Sequence, residues 1–139
     1  MKMYRAEIQI AANAQKIWDI LVDTAGYPEW DPGMDRIEGS IEAGSSVKFF
    51  TKISPDQAFP VKVTGFQAPD KMVLTGGMPL GLFKSERTHT LTSNADGSTT
   101  FETEEVFSGL LLPIFSKNIP DLNPIFQPFA EGLKKRAEG

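Results

Sequence analysis

Residues 114–137 read IFSKNIPDLNPIFQPFAEGLKKRA, and this stretch decides the fold. At about 100° per residue, Phe115, Ile119, Leu122, Phe126, Phe129, Leu133 and Ala137 fall in one narrow stripe, spaced by fours and threes. That is the apolar period of a helix with one buried face. Pro120, Pro124 and Pro128 argue against a helix, since each removes a backbone hydrogen bond. All three, however, lie on the far side of the wheel from the stripe. Prolines on a solvent face bend a helix, convex outward, around whatever it packs on. The expectation is a long, kinked C-terminal helix over 114–137 whose aromatic face is gripped by the rest of the chain.

Upstream of it the chain reads as strands. Phe83–Thr92 and Thr99–Phe107 are joined by Asn94-Ala95-Asp96-Gly97, a strong hairpin signal. Before them come Arg36–Ile41, Val47–Ile53, Phe59–Phe66 and Met72–Thr75, separated by turns at Ala43-Gly44, Ser54-Pro55-Asp56 and Pro69-Asp70. In the second of these, Val47, Phe49, Thr51 and Ile53 oppose Lys48 and Lys52. At the N-terminus, Tyr4, Ala6, Ile8 and Ile10 alternate with Arg5, Glu7 and Gln9, as in a half-buried strand. Asn13 then caps a short helix whose apolar side is Ala14, Ile17, Trp18, Ile20 and Leu21. A second helical turn ends in the rigid corner Tyr27-Pro28-Glu29-Trp30-Asp31-Pro32-Gly33. Short links between neighbouring strands imply an antiparallel sheet. Its outer face carries Lys48, Lys52, Lys62, Lys84, Glu86, Glu102 and Glu104, and its apolar inner face needs a cover. The final helix is the one element long enough to supply it.

Composition narrows the function. The 139 residues suit one domain, 1–139, with a real core. A net charge of −4 is not the basic footprint of a nucleic-acid binder. There is no cysteine, so no disulfide, thiol chemistry or Cys zinc site, and the single histidine excludes a two-His metal site. No cofactor is expected. Alternation begins at once with no apolar signal core, and no run reaches membrane-spanning length, so a cytoplasmic protein without stable membrane insertion is the expectation.

The order strand, two short helices, six strands and long helix resembles the START-like helix-grip superfamily, the group of polyketide cyclases/dehydrases and lipid-transfer domains. The runs IWDILVDTAGYPEWDP, IEGSIEAGSSVKF and DGSTTFETEEVFSGLLLP are similar to its first helix pair and corner, its second and third strands, and its last strand leading into the final helix. The resemblance covers nearly the whole chain. It implies an α+β helix-grip fold: a seven-stranded curved antiparallel sheet wrapped on the C-terminal helix, around a cavity for an apolar ligand. One position often His in relatives is Arg87 here, and the only His lies two residues later.

The hairpin sets a register in which Leu91 faces Phe101, His89 faces Thr103 and Arg87 faces Glu105. A one-residue slip would turn an apolar face outward. Unlike charges inside an apolar wall need each other. Arg87 and Glu105 are therefore expected to pair across the strands, with His89 beside them as a polar handle. The ligand-facing candidates on this hairpin are Phe83, Arg87, His89, Phe101, Thr103, Glu105 and Phe107. Phe49, Val61, Met72 and Leu74 join them from neighbouring strands, with Trp30 from the corner and Phe126 from the helix. A structural ion pair beside a core histidine is the competing account. As a proton-moving set, Arg87, His89 and Glu105 would suit a cyclisation or dehydration. Ser85 is no nucleophile for His89, because residues four apart on a strand are about 13 Å apart. Glu29, Asp31 and Asp35 read as solvated loop acids rather than a metal site.

Counting strand directions puts four connections at one end: 28–34, 54–58, 76–82 and 109–114. Two are unusually apolar, and Met78, Leu80, Leu111 and Leu112 are the expected gate; an end plugged by the loops themselves is the alternative. Such a lip could also touch a membrane transiently, a protein or a second copy in a homodimer. The sequence thus favours binding or transport of a small hydrophobic or amphipathic molecule (lipid, polyketide or quinone-like). A cyclase/dehydratase-type enzyme and a co-chaperone-like or dimeric interaction module are the alternatives.

Overall fold

The computed structural model describes residues 2–78, 80–115 and 123–139. Seven strands form one antiparallel sheet: β1 (Lys2–Ile10), β2 (Met34–Glu38), β3 (Ser46–Thr51), β4 (Ser54–Gln67), β5 (Lys71–Met78), β6 (Phe83–Ser93) and β7 (Thr99–Ser108). Their spatial order is β1-β7-β6-β5-β4-β3-β2. Between β1 and β2 lie α1 (Ala14–Val22), a 3₁₀ turn at Thr24–Gly26 and α2 (Tyr27–Trp30). After β7 come α3 (Leu112–Phe115) and α4 (Asn123–Glu138). Asn13 caps α1 as expected, its side-chain oxygen accepting from the Lys16 N–H at 2.8 Å.

The β6–β7 hairpin keeps the register that alternation demands, pairing Arg87 with Glu105, His89 with Thr103 and Leu91 with Phe101. Its turn is fastened by polar atoms. Gly97 takes φ +88°, Asp96 accepts from the Ser98 N–H at 3.0 Å, and the Asn94 amide donates to Gln9 on β1 at 2.9 Å. On the outer face Arg5 bridges to Glu102 at 2.7 Å and Lys84 to Glu86 at 3.2 Å.

The β3–β4 region departs from the expected alternation. Lys52 and Ile53 form the turn, and 54–58 are strand rather than loop. The pairing shifts between Phe49 and Thr51. Phe49 packs against the core, while Phe50 is buried outside it, 3.8 Å under the Arg36 guanidinium. Ile53 is left exposed. A bulge spends one residue and so reverses the faces beyond it.

The described part of α4 carries Pro124 next to its first described residue, Asn123. Pro128 is in the helix interior. Ile119, Leu122 and Pro120 lie outside the described residues, as does the side chain of Phe115. The rest of the stripe is as expected: Phe126, Phe129, Leu133 and Ala137 are all buried. Polar fasteners hold the far end of the helix to the β1–α1 joint. Lys134 Nζ donates to the Gln9 carbonyl at 2.9 Å, and Glu138 accepts from the Ala11 N–H at 2.8 Å. Arg136 reaches Glu29 at 3.2 Å.

Gly132 is the closest point of that docking. A Cβ there would stand 2.0 Å from the Trp30 carbonyl oxygen. Helix propensity alone makes Gly→Ala stabilising by about 1 kcal/mol. The contact reverses the sign. Gly132→Ala is expected to destabilise by about 1–3 kcal/mol, read as a lower midpoint in urea unfolding.

Candidate functional site

Arg87 and Glu105 meet on the concave face of the sheet. Arg87 Nε donates to Glu105 Oε2 at 2.7 Å and Nη2 lies 2.5 Å from the same oxygen. The second Glu105 oxygen receives no hydrogen bond from the described residues. The guanidinium carbon also sits 4.9 Å over the Phe126 ring of α4, so the pair is roofed by the helix.

One register step deeper, His89 is 2 % exposed and stacks on Phe129 at 5.6 Å with an interplanar angle of 18°. Phe101 lies at 5.6 Å from the same imidazole. Burial, and then the positive charge of Arg87, lower the His89 pKa from 6.5 to about 3, so the ring is neutral. His89 Nδ1 and the Thr103 hydroxyl opposite it are both inaccessible and have no hydrogen-bond partner.

Asp31 is buried rather than solvated. Burial raises its pKa, opposed by the Gly33 N–H at 3.1 Å and by the charges of Arg87 and Lys52. Sequence reasoning left this carboxylate outside the polar cluster, because a loop acid carries no periodicity to betray burial. It likewise missed Tyr4, whose ring edges against Phe107 at 6.1 Å and Phe126 at 6.5 Å. The Tyr27 and Trp30 rings meet tilted at 45°, 4.6 Å apart, and Trp30 meets Phe129 at 5.3 Å. Tyr27 donates to the Leu21 carbonyl at 2.6 Å; burial, mainly, pushes its pKa up.

The concave face is sealed at one end and accessible at the other. Leu91, His89, Met72, Leu74, Val63 and Val47 are buried. Further along the same strands Arg87, Ser85, Phe83, Gly76, Val61 and Phe49 are half-buried, and Phe59 and Met78 are exposed. Of the ligand-facing candidates, Trp30, Met72, Leu74, Phe101, Thr103 and Phe126 therefore belong to the packed half. Phe49, Val61, Phe83 and Arg87 border the accessible half, with Glu105 and Phe107 buried beside them. Two shallow cavities elsewhere, of about 290 and 460 Å³, flank Trp30 and the outer side of α4.

The residues expected at the gate differ in exposure. Met78 is exposed and Leu80 is 91 % exposed. Leu112, expected at the gate, is buried, and Leu111 is half-buried. The Leu112 N–H turns back to the Gly109 carbonyl at 3.2 Å, which tucks the side chain in. Leu110 and Ile114 are the exposed ones. Among the described residues no three His, Asp or Glu side chains gather as a metal site, and no helix is long and apolar enough to cross a membrane.

A curved antiparallel sheet closed on a C-terminal helix, with polar groups on its concave face, is a helix-grip container. The chain belongs to the polyketide cyclase/dehydrase and lipid transport family, whose model matches residues 1–138. No curated protein sequence matches it. Its fold is similar to that of a START superfamily protein from Mycobacterium smegmatis (TM-score 0.74, 18% identity, 98% of this chain and 97% of that one). A protein from Mesorhizobium loti gives a TM-score of 0.75 at 19% identity, over 96% of this chain and 95% of that one. Truncated norcoclaurine synthase from Thalictrum flavum gives 0.69 at 16% identity, over 97% and 92%.

The buried imidazole has a measurable consequence. An unfolded chain protonates its histidine below about pH 6.5, whereas the folded chain does so only near pH 3. His89 therefore costs no stability above pH 6.5, and stability falls as pH drops from there toward 3, with a slope approaching ~1.4 kcal/mol per pH unit. Since this is the only histidine, its imidazole proton resonance should stay flat between pH 8 and 5. His89→Phe should remove that part of the pH dependence of unfolding.

Proposed function

We propose that the protein binds a small hydrophobic or amphipathic molecule at the accessible end of its concave face. The supporting observation is the burial gradient along β3, β4, β5 and β6: apolar inward positions are packed at one end and reachable from solvent at the other. The reachable half offers aromatic and aliphatic wall from Phe49, Val61 and Phe83. It ends on a charged pair, the combination that holds the body of an amphiphile and orients its head. The family is described by polyketide cyclase/dehydrase and lipid transport members, which agrees with a guest of this kind. Binding is favoured over acid–base catalysis at His89. A group that gains its proton only near pH 3 is a weak base at neutral pH. The exposed Met78, Leu80, Leu110 and Ile114 flank the open end and form the lip past which a guest enters.

N-phenyl-1-naphthylamine, a neutral apolar fluorophore, should bind saturably at one site per chain. Ser85 lies on the inner face of β6, its hydroxyl beside the point where a Gly76 Cβ would stand. Ser85→Trp should fill the cleft and weaken probe binding at least about tenfold, roughly 1.4 kcal/mol, while the chain still unfolds cooperatively. Probe binding that survives Ser85→Trp unchanged would place the guest elsewhere.

A further inference from the structure

The accessible half of the concave face ends at the Arg87–Glu105 pair, with the sealed His89–Thr103 pair one register step beyond it. Arg87–Glu105 and His89–Thr103 are successive inward pairs of the same hairpin, about 7 Å apart along the strands. Arg87 spends two donors on one Glu105 oxygen and leaves the other free, on a side chain 11% exposed. His89 Nδ1 and Thr103 Oγ1 are fully desolvated and unpartnered. Buried polar groups are normally satisfied, and an exception calls for a missing partner. A neutral imidazole and a hydroxyl together offer both a donor and an acceptor.

The charges around this patch are already balanced toward the negative. Arg87 faces Glu105 directly, and its charge also acts on the buried carboxylate of Asp31. Two carboxylates thus share one half-buried guanidinium; Lys52, whose charge also acts on Asp31, is exposed. An anionic head group would bring a further negative charge beside the Glu105 carboxylate, which like-charge repulsion opposes. An uncharged head with a hydroxyl meets no such penalty.

We infer that the guest is a neutral hydroxylated amphiphile, not a carboxylate, whose O–H donates to the second Glu105 oxygen, the one that Arg87 does not engage. This rests on the cleft reading above. It adds a rule of selection: head-group charge decides affinity between guests with the same apolar body.

The test pairs 2-naphthol, neutral at pH 7, with 2-naphthoate, which carries the same ring system on an anion. Each is titrated against bound N-phenyl-1-naphthylamine. Naphthol should displace the probe at a concentration at least about tenfold lower than naphthoate, the step a single charge contact can supply. Glu105→Gln keeps the shape and frees the Arg87 charge, so the preference should shrink or reverse. Equal affinities, or a naphthoate preference in the unaltered protein, would overturn the inference and leave the cleft reading standing. So would a ratio untouched by Glu105→Gln. A protein that fails to bind N-phenyl-1-naphthylamine at all would overturn the cleft reading and this one with it.

Discussion

Phe129 is the contact that makes the sheet and the C-terminal helix one body. Its ring lies 5.3 Å from Trp30, 5.6 Å from His89 and 6.0 Å from Phe101, so one side chain of α4 touches the corner and both hairpin strands. Each such aromatic pair contributes about 0.5–1.5 kcal/mol beyond the area it buries. The helix can press this ring so deep because Gly132, three residues on, lets its backbone lie against the Trp30 carbonyl. The plug has a position, and the position has a consequence. It fills the concave face at the level of His89 and below, where packing is as dense as any core. Beyond Arg87 the inward positions of β6, β5 and β4 are half-buried or exposed.

The polar groups sit at that boundary. A charge pair lacking one partner would cost several kcal/mol in this setting, and Arg87 and Glu105 avoid that by meeting across the hairpin. His89 solves the same problem differently, by giving up its charge. The price of an unmade hydrogen bond at a buried atom is still about 1–3 kcal/mol, and His89 Nδ1 and Thr103 Oγ1 both incur it. Phenylalanine and valine would fit the two positions without that loss. A chain that keeps local polarity against its own stability does so where binding or chemistry needs it.

The hairpin was legible in the sequence because two independent signals agree there. An Asn-Ala-Asp-Gly link limits the register, and alternation from Phe83 to Leu91 and from Phe101 to Phe107 leaves one phase that brings Phe83, Leu91, Phe101 and Phe107 to the same face. The Arg87–Glu105 contact follows from that register alone. The β3–β4 ribbon carried no such redundancy. In Val47-Lys48-Phe49-Phe50 two adjacent residues are apolar, so either face can claim the strand beyond. A bulge then settles the matter by handing Phe50 to Arg36 on the outside. In the final helix, periodicity identified the gripped face, and Phe126, Phe129, Leu133 and Ala137 are buried on it. Gly132 was an available clue: an isolated glycine inside a helical pattern marks a close approach, here to Trp30.

The lip shows how the open end stays open without fraying. The Leu110 N–H donates to the Gly81 carbonyl at 3.0 Å and Leu111 to Leu82 at 2.8 Å, carrying the β6–β7 ladder past the strands into both apolar loops. Leu80 is held at φ +61°, a conformation a leucine rarely adopts. Such strain persists only where the surrounding structure dictates it, so the outward Leu80 is a set position and not a loose end. Because the two loops share hydrogen bonds, neither can swing aside alone without leaving backbone groups unpaired. The two apolar loops are therefore coupled to each other and to the β6–β7 ladder that carries the Arg87–Glu105 pair.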